Sequence, residues 1–344
     1  MDAIRHAVGR MMRLESLSSD EAEAAMGDIF TGSATQAQIG AFLASLRTKG
    51  ETADEILGCA RAMRASATAV TPVRHGCVDT CGTGGDMAGT FNISTISAFV
   101  VAGAGVPVAK HGNRSISSTC GSADVLEALG VNLSLTAEQV ARCVDQVGIG
   151  FMFAPMLHPA MAHAMGPRRE LGVRTVFNLL GPLANPAQVP FQVVGVFDRS
   201  LTEIIATVMA GLGVSRALVV HGDDGLDELT TAGGSVISEM HNGEVRTYRL
   251  YPEGLGLPRA SRSDLLGGDP ATNAGIARSV LSGERGPQRD IVVLNAAAAL
   301  YVAGQADSIG EALPLATQSI DTGHAAERLE ALISLSRTLT EAAP

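Results

Sequence analysis

The stretch Asp79-Thr-Cys-Gly-Thr-Gly-Gly-Asp-Met-Ala-Gly-Thr-Phe-Asn-Ile-Ser-Thr95 decides how this chain is read. It begins where a short β-branched run, Gly76 to Thr80, ends, and it closes where a helical pattern starts. A strand that delivers into a helix through a glycine-rich loop brings unpaired backbone amides and the positive end of the helix dipole to one place, which suits an anion such as a phosphate. Gly82, Gly84 and Gly85 allow a tight turn and a close backbone approach. Asn92, Ser94 and Thr95 add side-chain donors at the same place. The spacing is neither that of a dinucleotide loop nor that of a Walker loop, which argues against nicotinamide cofactors and ATP hydrolysis.

On the N-terminal side of this loop the chain reads as helix. Ser18 with Glu21, Thr35 with Gln38 and Thr52 with Glu55 each have capping-box spacing, in which a hydroxyl and a carboxylate or amide satisfy the amides of a helix start. Gly32 and Gly50 supply stops, and Ile39, Phe42, Leu43 and Leu46 fall on one helical face that needs a partner surface. Beyond Thr71-Pro72 short β-branched runs alternate with Gly-rich loops and Ala-rich helices. Candidate strands are Gly76 to Thr80, Val106 to Lys110, Ile149 to Ala154, Phe191 to Phe197 and Arg216 to His221, in the order expected of parallel strands with helical crossovers. Asn242-Gly243 between two alternating runs, within Ser235 to Leu250, signals a hairpin. The last sixty residues return to helix, with Asn295 to Ala303 packed deep. The expectation is an α/β protein: a small helical N-terminal domain over residues 1–71, joined by part of 168–190, and a large α/β domain over 72–344 with a mostly parallel central sheet.

Composition bounds the function. The 344 residues are 46% hydrophobic, enough for a sizeable core, and carry a formal charge of −10. An acidic chain lacks the basic footprint of a nucleic-acid binder. No basic stretch followed by an apolar core marks a signal peptide, and the longest nearly apolar run, Ala98 to Ala109, is broken by Gly103, Gly105 and Pro107, well short of the roughly 20 residues of a membrane span. The five cysteines are odd in number and lack zinc or redox spacing, so a cytoplasmic protein with reduced thiols is expected.

Three further segments carry chemistry. Lys110-His-Gly-Asn-Arg-Ser-Ile-Ser-Ser118 again follows a strand and precedes a helix, Ser122 to Leu129. Lys110 and Arg114 could offset the charge of a diphosphate while Ser115, Ser117 and Ser118 donate to its oxygens. In His221-Gly-Asp-Asp-Gly-Leu-Asp-Glu-Leu-Thr230, the pair Asp227-Glu228 offers hard oxygens of the kind that bridge Mg2+ to substrate phosphates; Asp223 and Asp224 lie beside it and leave the choice of ligands open. Pro167-Arg-Arg-Glu-Leu-Gly-Val-Arg174 supplies guanidinium groups, of which Arg168 could bind a planar carboxylate with two hydrogen bonds or simply pair with Glu170 at the surface.

Taken together and in this order, the segments resemble the anthranilate phosphoribosyltransferases, relatives of the pyrimidine nucleoside phosphorylases. The matching motifs are GTGGD at 82–86, TFNIST at 90–95, KHGNRS with its double serine at 110–118, GSADVLEALG at 121–130, HPAM at 158–161, RRELGVRTVFNLLGPLANP at 168–186 and the DGLDE segment ending at Glu228. The resemblance implies a glycosyltransferase of tryptophan biosynthesis that joins phosphoribosyl diphosphate (PRPP) to the amine of anthranilate, in a homodimer formed through the helical domain. Carried over by motif position, Gly82, Gly85, Asp86, Thr90, Asn92, Ser94, Thr95, Lys110, Asn113, Ser115, Ser117, Ser118 and Ser122 hold PRPP; Ser94, Asp227 and Glu228 hold Mg2+, two ions per subunit; Gly82, Asn113, His158 and Arg168 face anthranilate. No single residue is implied as acid or base; Lys110 and the metal stabilise the leaving charge. Met87 and Thr119-Cys120 depart from the family pattern, which more often has Gly after GTGGD and Lys-Ser after the double serine. The competing readings are a pyrimidine nucleoside phosphorylase, against which Asp227-Glu228, TFNIST and Arg168 count, and a non-catalytic polyanion-binding relative, against which the acidic charge counts.

Overall fold

The computed structural model describes residues 2–115 and 119–341. Four helices open the chain: α1 (Ala3–Met11), α2 (Ser19–Phe30), α3 (Gln36–Lys49) and α4 (Ala53–Ser66). The capping boxes at Ser18, Thr35 and Thr52 all form, each hydroxyl accepting the amide of the acid or amide residue three positions on. Ile39, Phe42, Leu43 and Leu46 are buried, as their common face requires.

The sheet strands are β1 (Val78–Asp79), β2 (Val108–Gly112), β3 (Ile149–Phe153), β4 (Phe191–Gly195), β5 (Arg216–Gly222), β6 (Ser235–His241) and β7 (Glu244–Leu250), in the order β3-β2-β1-β4-β5-β6-β7. Pairing is parallel from β3 through β5 and antiparallel for the last two strands, which form the hairpin signalled by Asn242-Gly243. Asn242 and Gly243 both take positive φ, the backbone a two-residue hairpin turn demands. The crossovers are α5 (Ile93–Gly103), α6 (Ser122–Leu129), α7 (Ala137–Val147), α8 (Ala154–Leu157), α9 (Ala162–Leu171), α10 (Phe177–Leu183) and α11 (Leu201–Gly211), and the chain ends on α12 (Pro270–Leu281), α13 (Pro287–Val302), α14 (Ile309–Asp321) and α15 (His324–Glu341).

Both faces of the sheet are covered, because successive strand residues point to opposite sides. Leu218 and Val220 of β5 belong to a core with α5, α7 and the nearly wholly buried α13, while Ala217 and Val219 belong to a second core built mainly from α1–α4, α10 and α11. Ala164, Phe177, Leu179, Leu180 and Leu183 join that second core, so residues 162–183 pack with the helices of the N-terminus.

The strand order places the site. From β1 the chain steps outward through β2 to β3, then returns to lay β4 on the other side of β1. Loops leaving the carboxyl ends of β1 and β4 therefore diverge, and the crevice between them is where open α/β sheets receive ligands.

Candidate active site

Three loops meet at this crevice: the glycine-rich loop after β1, the loop after β4 and the carboxylate-bearing loop after β5. Gly84 N donates to Asp227 Oδ2 at 2.7 Å and Ser94 N donates to Glu228 Oε1 at 2.9 Å, joining segments more than 130 residues apart. Asn92, the residue before α5, makes no side-chain cap; Glu228 caps that helix instead, its carboxyl oxygen accepting an amide of the helix start. A Cβ at Gly82 would lie 2.6 Å from Asp227 Oδ2, so any side chain there would displace that carboxylate. A space of about 10 Å3, room for one water, lies beneath, lined in part by Thr80, Ser94, Gly195, Asp227 and Glu228. Burial and the neighbouring Asp86 push Asp227 up to about 7, and burial with the neighbouring Asp227 raises Glu228 well above the usual carboxylate range.

Under this layer runs a buried polar chain. Lys110 lies within β2, 3% exposed, and its Nζ donates to Thr80 O at 2.8 Å and to Thr80 Oγ1 at 3.3 Å. Thr80 Oγ1 in turn donates to Ser94 O at 3.0 Å. Asp79 is fully buried beside this lysine; its Oδ1 accepts His111 N at 3.2 Å and its Oδ2 accepts Asn185 Nδ2 at 2.7 Å. Burial raises the Asp79 carboxyl to about 6 in spite of the attraction of Lys110. A carboxyl raised above its unfolded value favours the folded state when protonated, so its contribution falls as pH rises from about 4 through 6. Urea titrations of Asp79→Asn against the parent are therefore expected to show the variant gaining up to about 3 kcal/mol in relative stability between pH 4 and pH 7; a pH-independent difference would contradict the buried charge.

In the second loop, Asn113 O accepts Ser122 Oγ and Ala123 N, both at 3.2 Å, and Ser115 N donates to Asp124 Oδ2 at 3.1 Å. Arg114 differs from its reading as a diphosphate cation: it pairs with Asp124 at 2.9 Å and Glu127 at 2.8 Å on α6, acids that lie ten and thirteen residues ahead on the helix face turned to the loop. Ser117 and Ser118 lie outside the described residues. Asn92 Nδ2 donates to Cys120 O at 3.1 Å and its Oδ1 accepts Asn273 Nδ2 at 2.9 Å, which fixes that side chain at the crevice edge. Thr95 Oγ1 is buried without a partner among the described residues, and Thr90 forms an isolated bridge to Leu266. Gly85 O accepts from Arg174, whose guanidinium also stacks 4.2 Å over the Phe197 ring. Met87 holds φ +54 with its side chain exposed, a backbone that explains why glycine suits this position.

A glycosyltransferase-family helical-bundle domain matches residues 2–67 and a glycosyltransferase-family α/β domain matches residues 74–326. The anthranilate phosphoribosyltransferase of Moorella thermoacetica is 58% identical over 327 residues, covering 95% of this chain and 96% of its own. The chain belongs to the anthranilate phosphoribosyltransferase family. Its activity is phosphoribosyl transfer to anthranilate. The crystal structure of the Thermus thermophilus family member superposes with a TM-score of 0.92 at 43% identity, covering 98% of this chain and 100% of that one. The Saccharomyces cerevisiae member, 27% identical in its complex with PRPP and Mg, superposes at 0.89 with 98% of each chain covered, and it has also been solved with 4-fluoroanthranilate.

Two residues that family resemblance assigns to the acceptor have distinctive surroundings. Arg168, on α9, lies with its guanidinium 5.1 Å from the Phe177 ring centre, and burial lowers its pKa. Among the described residues it forms no ion pair with Glu170 or any other acid, so a half-buried cation stands ready for an anion. His158 is buried between α8 and α9, its Nε2 3.2 Å from His111 Nε2.

The donors also suit Mg2+. Among the described residues no three acidic, histidine or cysteine side chains converge into a protein-only metal cage. What converges instead is one carboxylate pair with Ser94 beside it, hard oxygens whose pKa values are raised first by burial and then by neighbouring carboxylates, so that a bound cation would favour their charged form. Such a donor set matches a cation that keeps much of its water and shares the rest of its coordination with substrate phosphates.

Proposed function

We propose that this chain binds PRPP with Mg2+ in the crevice between the β1 and β4 loops and joins its ribosyl carbon to the amine of anthranilate, releasing diphosphate in the tryptophan branch of amino-acid biosynthesis. The observation that supports this reading is the meeting of the Gly84 and Ser94 amides with Asp227 and Glu228, so that the glycine-rich loop proposed for the phosphates and the carboxylate pair proposed for Mg2+ lie within one hydrogen bond of each other. In this reading Gly82, Gly85, Asp86, Thr90, Asn92, Ser94, Thr95, Lys110, Asn113, Ser115, Ser117, Ser118 and Ser122 serve PRPP; Ser94, Asp227 and Glu228 hold two Mg2+ per subunit; Gly82, Asn113, His158 and Arg168 serve anthranilate. When bound, Mg2+ supplies neutralisation of the departing diphosphate charge. Lys110 acts from below: it holds Thr80, which holds the Ser94 carbonyl, and its own charge offsets that of the site. The acceptor nitrogen is neutral, so its placement, not a strong base, is what the protein must supply.

The same reading includes a division at residues 71 and 72 with part of 168–190 joining the helical part, a homodimer formed through that part, and a cytoplasmic location. The shared packing of residues 162–183 with α1–α4 supports the division. No helix of the described residues is long and apolar enough to cross a membrane.

Loss of anthranilate fluorescence on mixing the protein with PRPP and Mg2+, arrested by EDTA, is the expected result. Phosphate-dependent cleavage of uridine or thymidine without anthranilate turnover would overturn it in favour of a nucleoside phosphorylase. Within this reading, Arg168→Ala should raise the KM for anthranilate at least about tenfold with little change in that for PRPP, since a charge-assisted hydrogen bond to a carboxylate is lost; steady-state kinetics in which the donor KM moves instead would remove Arg168 from the acceptor site.

A further inference from the structure

The segment running into α12 lies across the glycine-rich loop. Gly267 N donates to Gly89 O at 2.9 Å and Phe91 N to Leu265 O at 3.4 Å. The approach is close, since a Cβ on Gly267 would lie 2.7 Å from Phe91 N. Asn273, in α12 and 1% exposed, joins this segment to Asn92. Gly268 N donates to Asn273 Oδ1 at 2.8 Å, and a backbone amide can only donate, so Asn273 turns its nitrogen the other way. There Nδ2 donates to Asn92 Oδ1 at 2.9 Å, which leaves the Asn92 nitrogen for Cys120 O, 3.1 Å away. The relay thus has a fixed sense, with a backbone donor at one end and a backbone acceptor at the other. It reaches the near end of the second loop as well. A Cβ on Gly121 would lie 2.3 Å from Ser115 N, and Asp124 Oδ2 accepts both Ser115 N at 3.1 Å and Gly121 N at 2.9 Å, so Ser115 cannot shift independently of Cys120-Gly121.

We infer that Asn273 is a positioning residue for the sugar donor: it fixes the orientation of the Asn92 amide and, through it, the spacing of the glycine-rich loop and the second loop. This rests on the reading that PRPP lies across both loops. Without Asn273 the Asn92 amide has no fixed sense, and its flipped form sets an oxygen against Cys120 O, two acceptors with no proton between them. The two loops then lose their tie, and a ligand that needs both must order them itself, at a cost in affinity. His158 and Arg168, the side chains proposed for the acceptor on or beside α9, are not members of the relay, so the donor should feel the loss first.

Calorimetric titration of PRPP with Mg2+ into the wild type, Asn92→Ala, Asn273→Leu and the double variant tests this. Leucine has nearly the shape of asparagine and neither donates nor accepts. Asn273→Leu should weaken PRPP about tenfold, as expected for one hydrogen bond, and raise its KM by a similar factor while that for anthranilate changes by less than about twofold. In the Asn92→Ala background the same substitution should weaken PRPP by less than about twofold, because its effect passes through Asn92. Equal losses in both backgrounds would make Asn273 a packing residue and overturn the inference, as would an anthranilate KM that rises as much as that for PRPP. The comparison of the two KM values decides alone if Asn92→Ala binds too weakly to titrate. Asn273→Ser, which leaves room for a water at Gly268 N, repeats the series if leucine prevents folding. Wild-type protein that takes up no PRPP would overturn the inference together with the proposed function; uptake by the wild type with equal losses in both backgrounds removes Asn273 alone and leaves that function standing.

Discussion

Gly195→Ala is expected to lower kcat/KM by at least about a hundredfold, although residue 195 carries no functional group. Gly195 ends β4 opposite Val220 of β5, and its carbonyl accepts Thr83 N at 2.9 Å. A methyl group built on its α-carbon would overlap the carbonyl group of Asp227, which is backbone and cannot rotate away. Relief would have to come from the whole loop after β5, so Asp227 and Glu228 would retreat from Gly84 and Ser94. Overpacking of this kind costs about 1–3 kcal/mol in stability. The larger consequence is for chemistry, because a displacement of about 1 Å in a positioning group can cost a hundredfold in rate. Gly275→Ala is the control: it sits inside α12 with nothing within 4 Å of an added Cβ, and is expected to stabilise by about 0.5–1 kcal/mol with activity intact. If steady-state kinetics and thermal melts gave the two variants equal activity, Gly195 would be no more than a strand glycine.

Gly195 also shows where sequence reading ends. In Val193-Val-Gly-Val196 it reads as a weak point in a strand, and only the fold brings Asp227, 32 residues later, onto its face. What was legible came from short-range rules. Three capping boxes, the Asn-Gly hairpin and the strand runs depend on residues within a few positions of one another, and each formed as its spacing required. The loop after β1 was legible for the same reason, since strand, glycines and helix start are contiguous. Side-chain direction was not. Lys110 and Arg114 share one basic segment, yet the pleat of β2 sends Lys110 inward to Thr80 while Arg114, beyond the strand, is taken up by acids of α6. The partnership of Asp79 with Asn185 spans 106 residues and had no local signature. His111 meets Gly181 and His158, 70 and 47 residues away, through the fold alone.

Glu228→Gln should separate stability from activity in opposite directions. Glu228 is buried against Asp227, with Asp86 adding its charge, and burial first and these neighbours second raise the pKa of both paired carboxyls. The glutamine amide keeps an oxygen able to accept Ser94 N–H, so the cap on α5 survives, while a buried carboxyl whose ionisation burial and its neighbours oppose is replaced by a neutral group. In EDTA the variant is therefore expected to be more stable by about 1 kcal/mol, a rise of about 2 °C in Tm. Turnover should nonetheless fall by about a hundredfold or more, and the Mg2+ concentration for half-maximal rate should rise, because a neutral amide is a poor ligand for a hard cation. A residue present only to cap the helix would behave differently: glutamine would preserve both stability and rate. A fall in both would mean that the Ser94 contact depends on the full charge of Glu228, and that its main task is to hold α5. Only the combination of a gain in stability with a loss in rate identifies Glu228 as a carboxylate kept at a cost in folding free energy for the sake of the cation it binds.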